Sequence, residues 1–123
     1  MAAESKKLPF EPVASVAELD TKVLAAGQPV MLDFYADWCV SCKEIERFTF
    51  SDARVRAKLA GWTLLQADVT ANSDADKALL QRFNLYGPPG IIFFDGKGQE
   101  IDGVRVVGFM SADEFLSLLA RLG

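Results

Sequence analysis

An α/β fold, with a central mixed sheet and helices on both faces, is the class this sequence predicts. Three observations carry that prediction. Strand-like apolar runs alternate with segments that begin on helix-capping residues. Val30 to Ala36 is a nearly continuous apolar run, as suits a strand buried on both faces. Asp95-Gly96-Lys97-Gly98 divides two late strand-like runs as a hairpin turn. Alternating β and α segments give parallel strands joined by crossover helices, and the C-terminal hairpin adds an antiparallel part.

Residues 1–14 read as an extended arm or linker, because Pro9 and Pro12 forbid a helix. Phe10 and Val13 still offer a short edge strand. The domain proper is expected over 15–123. Ser15 and Glu18 form a capping box, so a helix runs from Val16 to Ala26 and stops at Gly27. The Val30–Ala36 strand contains one charge, Asp33. A second helix is expected over about residues 40–48, and Ser51-Asp52 opens a shorter one that ends before Gly61. Trp62 to Asp68 is the next strand, and Ser73 caps a helix through Phe83. Gly87-Pro88-Pro89-Gly90 is a rigid break before the strand Ile91–Phe94. Val104 to Gly108 is the returning hairpin strand, and Ser111 with Glu114 is a second capping box opening the last helix. Phe48 and Phe50 are expected in the core.

At 123 residues the chain fits one domain able to bury a core. Half of it is hydrophobic and the net charge is −4, which argues against a nucleic-acid or anionic-membrane surface. No apolar stretch approaches the roughly 20 residues that span a bilayer, so no direct membrane insertion is expected. Charges at Glu4, Lys6 and Lys7 sit where a signal peptide needs its apolar region. The chain is therefore either cytoplasmic or an excised mature domain. With no histidine, Ser-His-Asp and Cys-His catalysis are ruled out. Two cysteines exclude a four-thiolate zinc site within one chain, and a multi-disulfide scaffold. No metal is expected.

The chemistry centres on Cys39-Val40-Ser41-Cys42, where a buried strand turns into a helix. That spacing brings both sulfurs within one helical turn, near the unpaired N–H groups that stabilise a thiolate. Cys39 is expected to be the exposed nucleophile and Cys42 the shielded residue that resolves the mixed disulfide. The alternatives are a stapling disulfide or inert thiols, and a metal site shared between two chains. Asp33 is six residues before Cys39. It is either a paired core Asp or the group that takes the Cys42 proton. Glu46 shares a helix face with both cysteines and is either solvated or part of the site. Trp38 either packs or shapes the rim of the site. Pro88-Pro89 is either a cis peptide or an ordinary trans turn.

Val30 to Lys43, with its buried Asp and W-C-x-x-C-K, resembles the thioredoxin signature. The resemblance covers roughly residues 15–121 and implies a thioredoxin fold. It places Asp33 on the family's buried Asp and Pro89 on its cis-proline, which faces the cysteines. A narrower similarity runs through Tyr35 to Glu44, Phe48 to Asp52, Val69-Thr70-Ala71-Asn72 and Gly108-Phe109-Met110. Those four motifs resemble the C-terminal periplasmic domains of the DsbD family of bacterial thiol–disulfide interchange proteins.

That resemblance implies a disulfide reductase with no cofactor beyond its own dithiol, acting on protein disulfides as a monomer in the periplasm. Electrons would come from the transmembrane domain and pass to the N-terminal periplasmic domain of the same full-length protein, in the service of processes such as cytochrome c-type biogenesis. A stand-alone thioredoxin-like reductase and a non-redox binding module of the same fold are the alternatives. Two departures from thioredoxin itself stand out. Val40-Ser41 replaces Gly-Pro between the cysteines, and Pro88 and Gly90 flank Pro89 where the family usually has an N–H donor and often Thr.

Overall fold

The structure is a computed structural model that describes residues 8–122. The first half of the 1–14 arm, Met1 to Lys7, lies outside the described residues, as does Gly123. The elements, in chain order, are β1 (Glu11–Pro12), α1 (Val16–Ala26), β2 (Val30–Tyr35), α2 (Val40–Ile45), a π-helical turn (Glu46–Phe50), α3 (Ala53–Lys58), β3 (Thr63–Asp68), α4 (Asp74–Arg82), β4 (Gly90–Phe94), β5 (Val106–Val107) and α5 (Ala112–Leu122).

The five strands form one mixed sheet in the order β1-β3-β2-β4-β5. β1 and β2 both run parallel to β3, and the antiparallel part begins at β4, which runs against β2. β2 is therefore the middle strand, and its first five residues are buried. Pro12 has no N–H to give a ladder, and it lies on the edge strand, where that costs least. β5 is shorter than Val104–Gly108: it begins at Val106 and ends where Gly108 (φ 99°) turns the chain out of the extended region.

Each face of the sheet carries its own core, as strand alternation requires. Leu32 and Phe34 point toward Leu19 and Val23 of α1 and Leu79 and Leu80 of α4. Met31 and Phe93 point toward Ile45 of α2, Val55 of α3 and Phe115 and Leu118 of α5. Asp33 has the parity of Met31 and so faces the α2 side.

Local signals set most boundaries. Ser15 Oγ accepts the Glu18 N–H at 3.1 Å, and Gly27 ends α1 in the left-handed region at φ 65°. The reciprocal half of that capping box is absent, because Glu18 accepts from the Ala14 N–H at 2.7 Å instead of from Ser15. Lys22 also draws on that carboxylate, at 3.2 Å. At α5 the box is complete, with Ser111 and Glu114 exchanging bonds of 3.0 and 3.2 Å.

The second helix does not simply stop near residue 48. It widens into the π turn, whose Thr49 hydroxyl donates to the Met110 carbonyl and ties the turn to the loop before α5. The wider turn leaves Phe50 buried but puts Phe48 on the surface, against Arg47 at 5.3 Å. Phe48 is thus not a core residue.

Candidate active site

Cys39 and Cys42 are joined as a disulfide, with Cα atoms 5.3 Å apart, at the start of α2. β2 delivers the chain to the carboxyl end of the sheet, and Cys39 takes the extended N-cap position of the helix (φ −94°, ψ 105°). Its Sγ accepts the Cys42 N–H at 3.1 Å, so an otherwise unpaired donor of the first helical turn points at the Cys39 sulfur. A thiolate at Cys39 gains most from that bond, because a charged acceptor strengthens it.

Cys42 Sγ lies 3.7 Å from the Phe34 carbonyl oxygen, against the end of β2. Once reduced, a Cys42 thiol at this place has that carbonyl as an acceptor. The expected contrast in exposure is not present in the disulfide form: Cys39 is 6 % exposed and Cys42 4 %. What separates the two is direction, since Cys39 caps the helix mouth while Cys42 faces the sheet.

Asp33 is 4 % exposed, and its carboxylate accepts a 3.0 Å hydrogen bond from Gln66 Nε2. Burial pushes its pKa up to about 7; the Gln66 bond pulls the other way and the Glu46 charge adds to the rise. A buried carboxyl poised near neutral pH accepts and returns a proton readily. Glu46 opens the π turn, and it lines a cavity of about 290 Å³ with Gln66, Tyr35, Leu8, Phe10 and Phe50. The structure therefore gathers Asp33, Gln66 and Glu46 into one polar cluster on the α2 side of the sheet. Among the described residues no group of three His, Cys, Asp or Glu side chains could hold a metal ion.

Trp38 is 60 % exposed, so it stands at the surface beside Cys39 and is not a core residue. Its indole N–H donates to the Thr70 carbonyl at 3.0 Å. Thr70 holds the same segment a second time, accepting the Asp37 N–H on its hydroxyl at 2.9 Å while that hydroxyl donates to Asp68. On the other side Tyr35 donates to Asp37 at 3.0 Å and accepts from Lys43 at 3.1 Å.

The Pro88–Pro89 peptide is cis. β4 starts at the next residue, with Gly90 paired to Phe34. The register thus sets the Pro88-Pro89 loop beside the end of β2 that leads into the cysteines. Pro88 and Trp38 line one groove of about 320 Å³, with Val69, Leu80, Tyr86 and Gly87.

Every candidate residue thus falls at the carboxyl end of β2, in one of two settings. Asp33 and Glu46 lie on the α2 side with Gln66; Trp38 and Pro88 line the surface groove, and Pro89 follows Pro88 through the cis peptide. Gln66 and Thr70 were missed by sequence reasoning. Thr70 sits in the Val69-Thr70-Ala71-Asn72 motif, but its role depends on a carbonyl and a hydroxyl meeting β2's exit loop, which no spacing within the chain reveals.

A family model described as a thioredoxin-like domain matches residues 17–123. Over 121 residues the chain is 60% identical to the thiol:disulfide interchange protein DsbD of Ralstonia nicotianae, an alignment that takes in 96% of the chain and 20% of that relative. It is 53% identical over 114 residues to DsbD of Pectobacterium atrosepticum, with 93% and 20% covered. The chain spans about 20% of the length of these curated relatives. Among solved structures, the oxidised DsbD C-terminal domain of Neisseria meningitidis superposes with a TM-score of 0.70 at 36% identity, covering 85% of this chain and 90% of that one. Its reduced form gives 0.73 at 35%, covering 88% and 96%. A thioredoxin from Fasciola hepatica, 19% identical with a TM-score of 0.71 over 91% and 98% of the two chains, shares the fold.

Proposed function

The chain belongs to the thioredoxin-like family, in the branch formed by the DsbD C-terminal domains, and from that premise we propose that it works as a disulfide reductase of the periplasm. Thiol–disulfide interchange at Cys39 and Cys42 is its chemistry. The observation that carries the proposal is this disulfide at the mouth of α2, just beyond the strand that holds the buried Asp33.

In the reduced domain the Cys39 thiolate attacks one sulfur of a partner disulfide. A bond forms between Cys39 and that sulfur, the partner's S–S bond breaks, and the other partner sulfur leaves as a thiolate. Cys42 then loses its proton, with the Asp33 carboxylate as the acceptor, and attacks Cys39 Sγ. The mixed disulfide breaks, the second partner thiolate leaves, and Cys39 and Cys42 close as a disulfide. Two electrons pass to the partner. Each departing thiolate takes up a proton, one of them by return from Asp33. Glu46 sets the charge around Asp33, and Trp38, Pro88 and Pro89 form the surface on which the partner docks. Pro88 lacks an N–H, so toward a partner strand it acts only as an acceptor.

The fuller assignment places this domain between a transmembrane electron donor and the N-terminal periplasmic domain of the same full-length protein. The identity to DsbD proteins along a fifth of their length supports it. Among the described residues no helix is long and apolar enough to cross a membrane. The dithiol itself is the only redox group the mechanism uses.

The test is a redox titration in buffers of defined dithiol–disulfide ratio, following the Cys39–Cys42 state by alkylation and mass. A reversible two-electron transition, with Cys39 alkylated first at limiting reagent, is the expected result. A pair that does not cycle makes the domain a binding module, and first labelling of Cys42 reverses the division of labour.

A further inference from the structure

A second cavity, of about 430 Å³, runs along α4 beyond the groove of Trp38 and Pro88. Lys77, Leu80, Gln81 and Asn84 fall at i, i+3, i+4 and i+7, so one stripe of the helix and the residues just after it face the cavity. Asn72, Leu85 and Tyr86 complete its walls. Asn72, Leu80 and Tyr86 line both cavities, which makes them one trough leading away from the disulfide.

The far end adds a cation and two amides to what the near end holds. Beside Trp38 the groove is walled by Val69, Asn72, Leu80, Tyr86, Gly87 and Pro88. The far end offers one cation, Lys77, and the side-chain amides of Asn72, Gln81 and Asn84, over a floor formed by the buried Leu80. Among the described residues no carboxylate lines it. Lys77 is the one charged side chain on this wall; Asp74 and Asp76 share its turn of α4 but are not among the lining residues. Amide N–H₂ groups and an ammonium together favour a carboxylate, which accepts several bonds and donates none.

We infer that the α4 end of the trough is a subsite for an Asp or Glu side chain of the disulfide-bearing partner protein, presented a few residues from the attacked cysteine along an extended segment. An extended chain advances about 3.3 Å per residue, so a segment seated beside Trp38 crosses Tyr86 within a few residues and brings a side chain over Lys77. The inference deepens the reductase reading and rests on it. Lys77 acts on which substrate docks and not on the exchange itself, since it touches neither sulfur.

The experiment uses the reduced full chain and a set of peptide disulfides that differ only by Glu or Gln at one position, moved stepwise along the residues flanking the cysteine. A small neutral disulfide, hydroxyethyl disulfide, serves as the control substrate. At one position the Glu peptide is expected to show a KM lower than its Gln counterpart by roughly two- to fivefold, the scale of one partly exposed ion pair. Raising the salt should shrink the difference. Lys77→Gln should abolish the preference and Lys77→Glu should invert it, while both variants reduce hydroxyethyl disulfide at the wild-type rate. A wild type with no Glu preference at any position, or a preference that survives Lys77→Glu, overturns the subsite and leaves the exchange reading intact. Failure of the wild type to reduce hydroxyethyl disulfide overturns the exchange reading, and the subsite with it.

Discussion

Gln66 donates a 3.0 Å hydrogen bond to the Asp33 carboxylate across the β2–β3 ladder, in which the two residues are direct register partners. The sheet itself thus delivers a side-chain donor to this buried acid, and the bond opposes but does not cancel the effect of burial.

Stability should carry the mark of that balance. The folded pKa of Asp33 is raised from 3.8 to about 7. A raised carboxyl binds its proton more tightly when folded than when unfolded. The folded state is therefore unpenalised below pH ~4, loses stability as pH climbs through the window up to about 7, and bears the full cost above it. Three units correspond to an order of magnitude of ~4 kcal/mol. Asp33→Asn should leave stability little changed at pH 4 and raise it by a few kcal/mol at pH 8. Urea unfolding of the oxidised protein at both pH values checks this; an equal effect at both would show that Asp33 does not ionise across that window.

The same charge is expected to act on Cys39. At the pH where Cys39 titrates, Asp33 is already ionised, because its pKa of about 7 lies below the free-thiol value. A full charge within ~6 Å of a thiolate, at an effective dielectric of ~20, costs it roughly 3 kcal/mol, more than the ~0.3–2 kcal/mol a helix terminus supplies. Cys39 should therefore titrate at or above ~8.5 rather than near ~7. Asp33→Asn should lower that value the most, and Glu46→Gln less, since Glu46 lines an open cavity where solvent screens it. Thiolate absorbance against pH in the three proteins is the measurement. A wild-type value near 7 would mean the Cys42 N–H bond and the helix end govern the site instead.

Thr70 holds the loop that presents Trp38 through two bonds, one from its carbonyl and one from its hydroxyl. Thr70→Val keeps the shape and the carbonyl but removes the hydroxyl that accepts the Asp37 N–H. One such bond is worth about 0.5–1.5 kcal/mol. The expected result is a KM for a peptide disulfide raised about two- to tenfold, with kcat nearly unchanged, and recovery in Thr70→Ser. In a Trp62→Phe background, Trp38 should also show faster anisotropy decay. Loss of kcat with KM intact would place Thr70 in the chemistry and not in the positioning of the rim.

Much of this was legible in the chain, and the exceptions share a cause. α1 is bounded by Ser15 and Gly27 because capping and left-handed termination are local events written in single residues. The same holds for Ser73 and Ser111. The cysteines and Asp33 were legible because a charge in an apolar strand and a pair three residues apart are anomalies against their surroundings. The π turn has no such local sign; it arises where Thr49 must reach Met110, sixty-one residues away, and it carries Phe48 outward with it. Gln66 and Thr70 owe their roles to strand register and to backbone carbonyls, which are tertiary facts. The near-equal burial of Cys39 and Cys42 likewise follows from packing around the closed disulfide, which sequence spacing does not describe.

Gly90 is where the cis Pro88–Pro89 loop becomes strand, and both of its ladder neighbours are occupied, by Phe34 on β2 and Val107 on β5. A Cβ placed there would lie 2.8 Å from Leu85 Cδ1, closer than two carbons can approach. Leu85 is half-buried against the core of the α1–α4 face and also lines the α4 cavity, so its side chain has to shift to make room. Gly90→Ala should then cost about 1–3 kcal/mol, the usual penalty of overpacking. In a Leu85→Ala background the obstructing methyl is gone, and the same substitution should cost less than ~1 kcal/mol. The difference between the two is a coupling energy, and a double-mutant cycle in urea measures it. If the cost of Gly90→Ala is the same in both backgrounds, the strain lies in the backbone of the loop and not against Leu85. A coupled result ties the strand that carries the proline loop to the residue preceding Tyr86, and so to the wall shared by both halves of the trough.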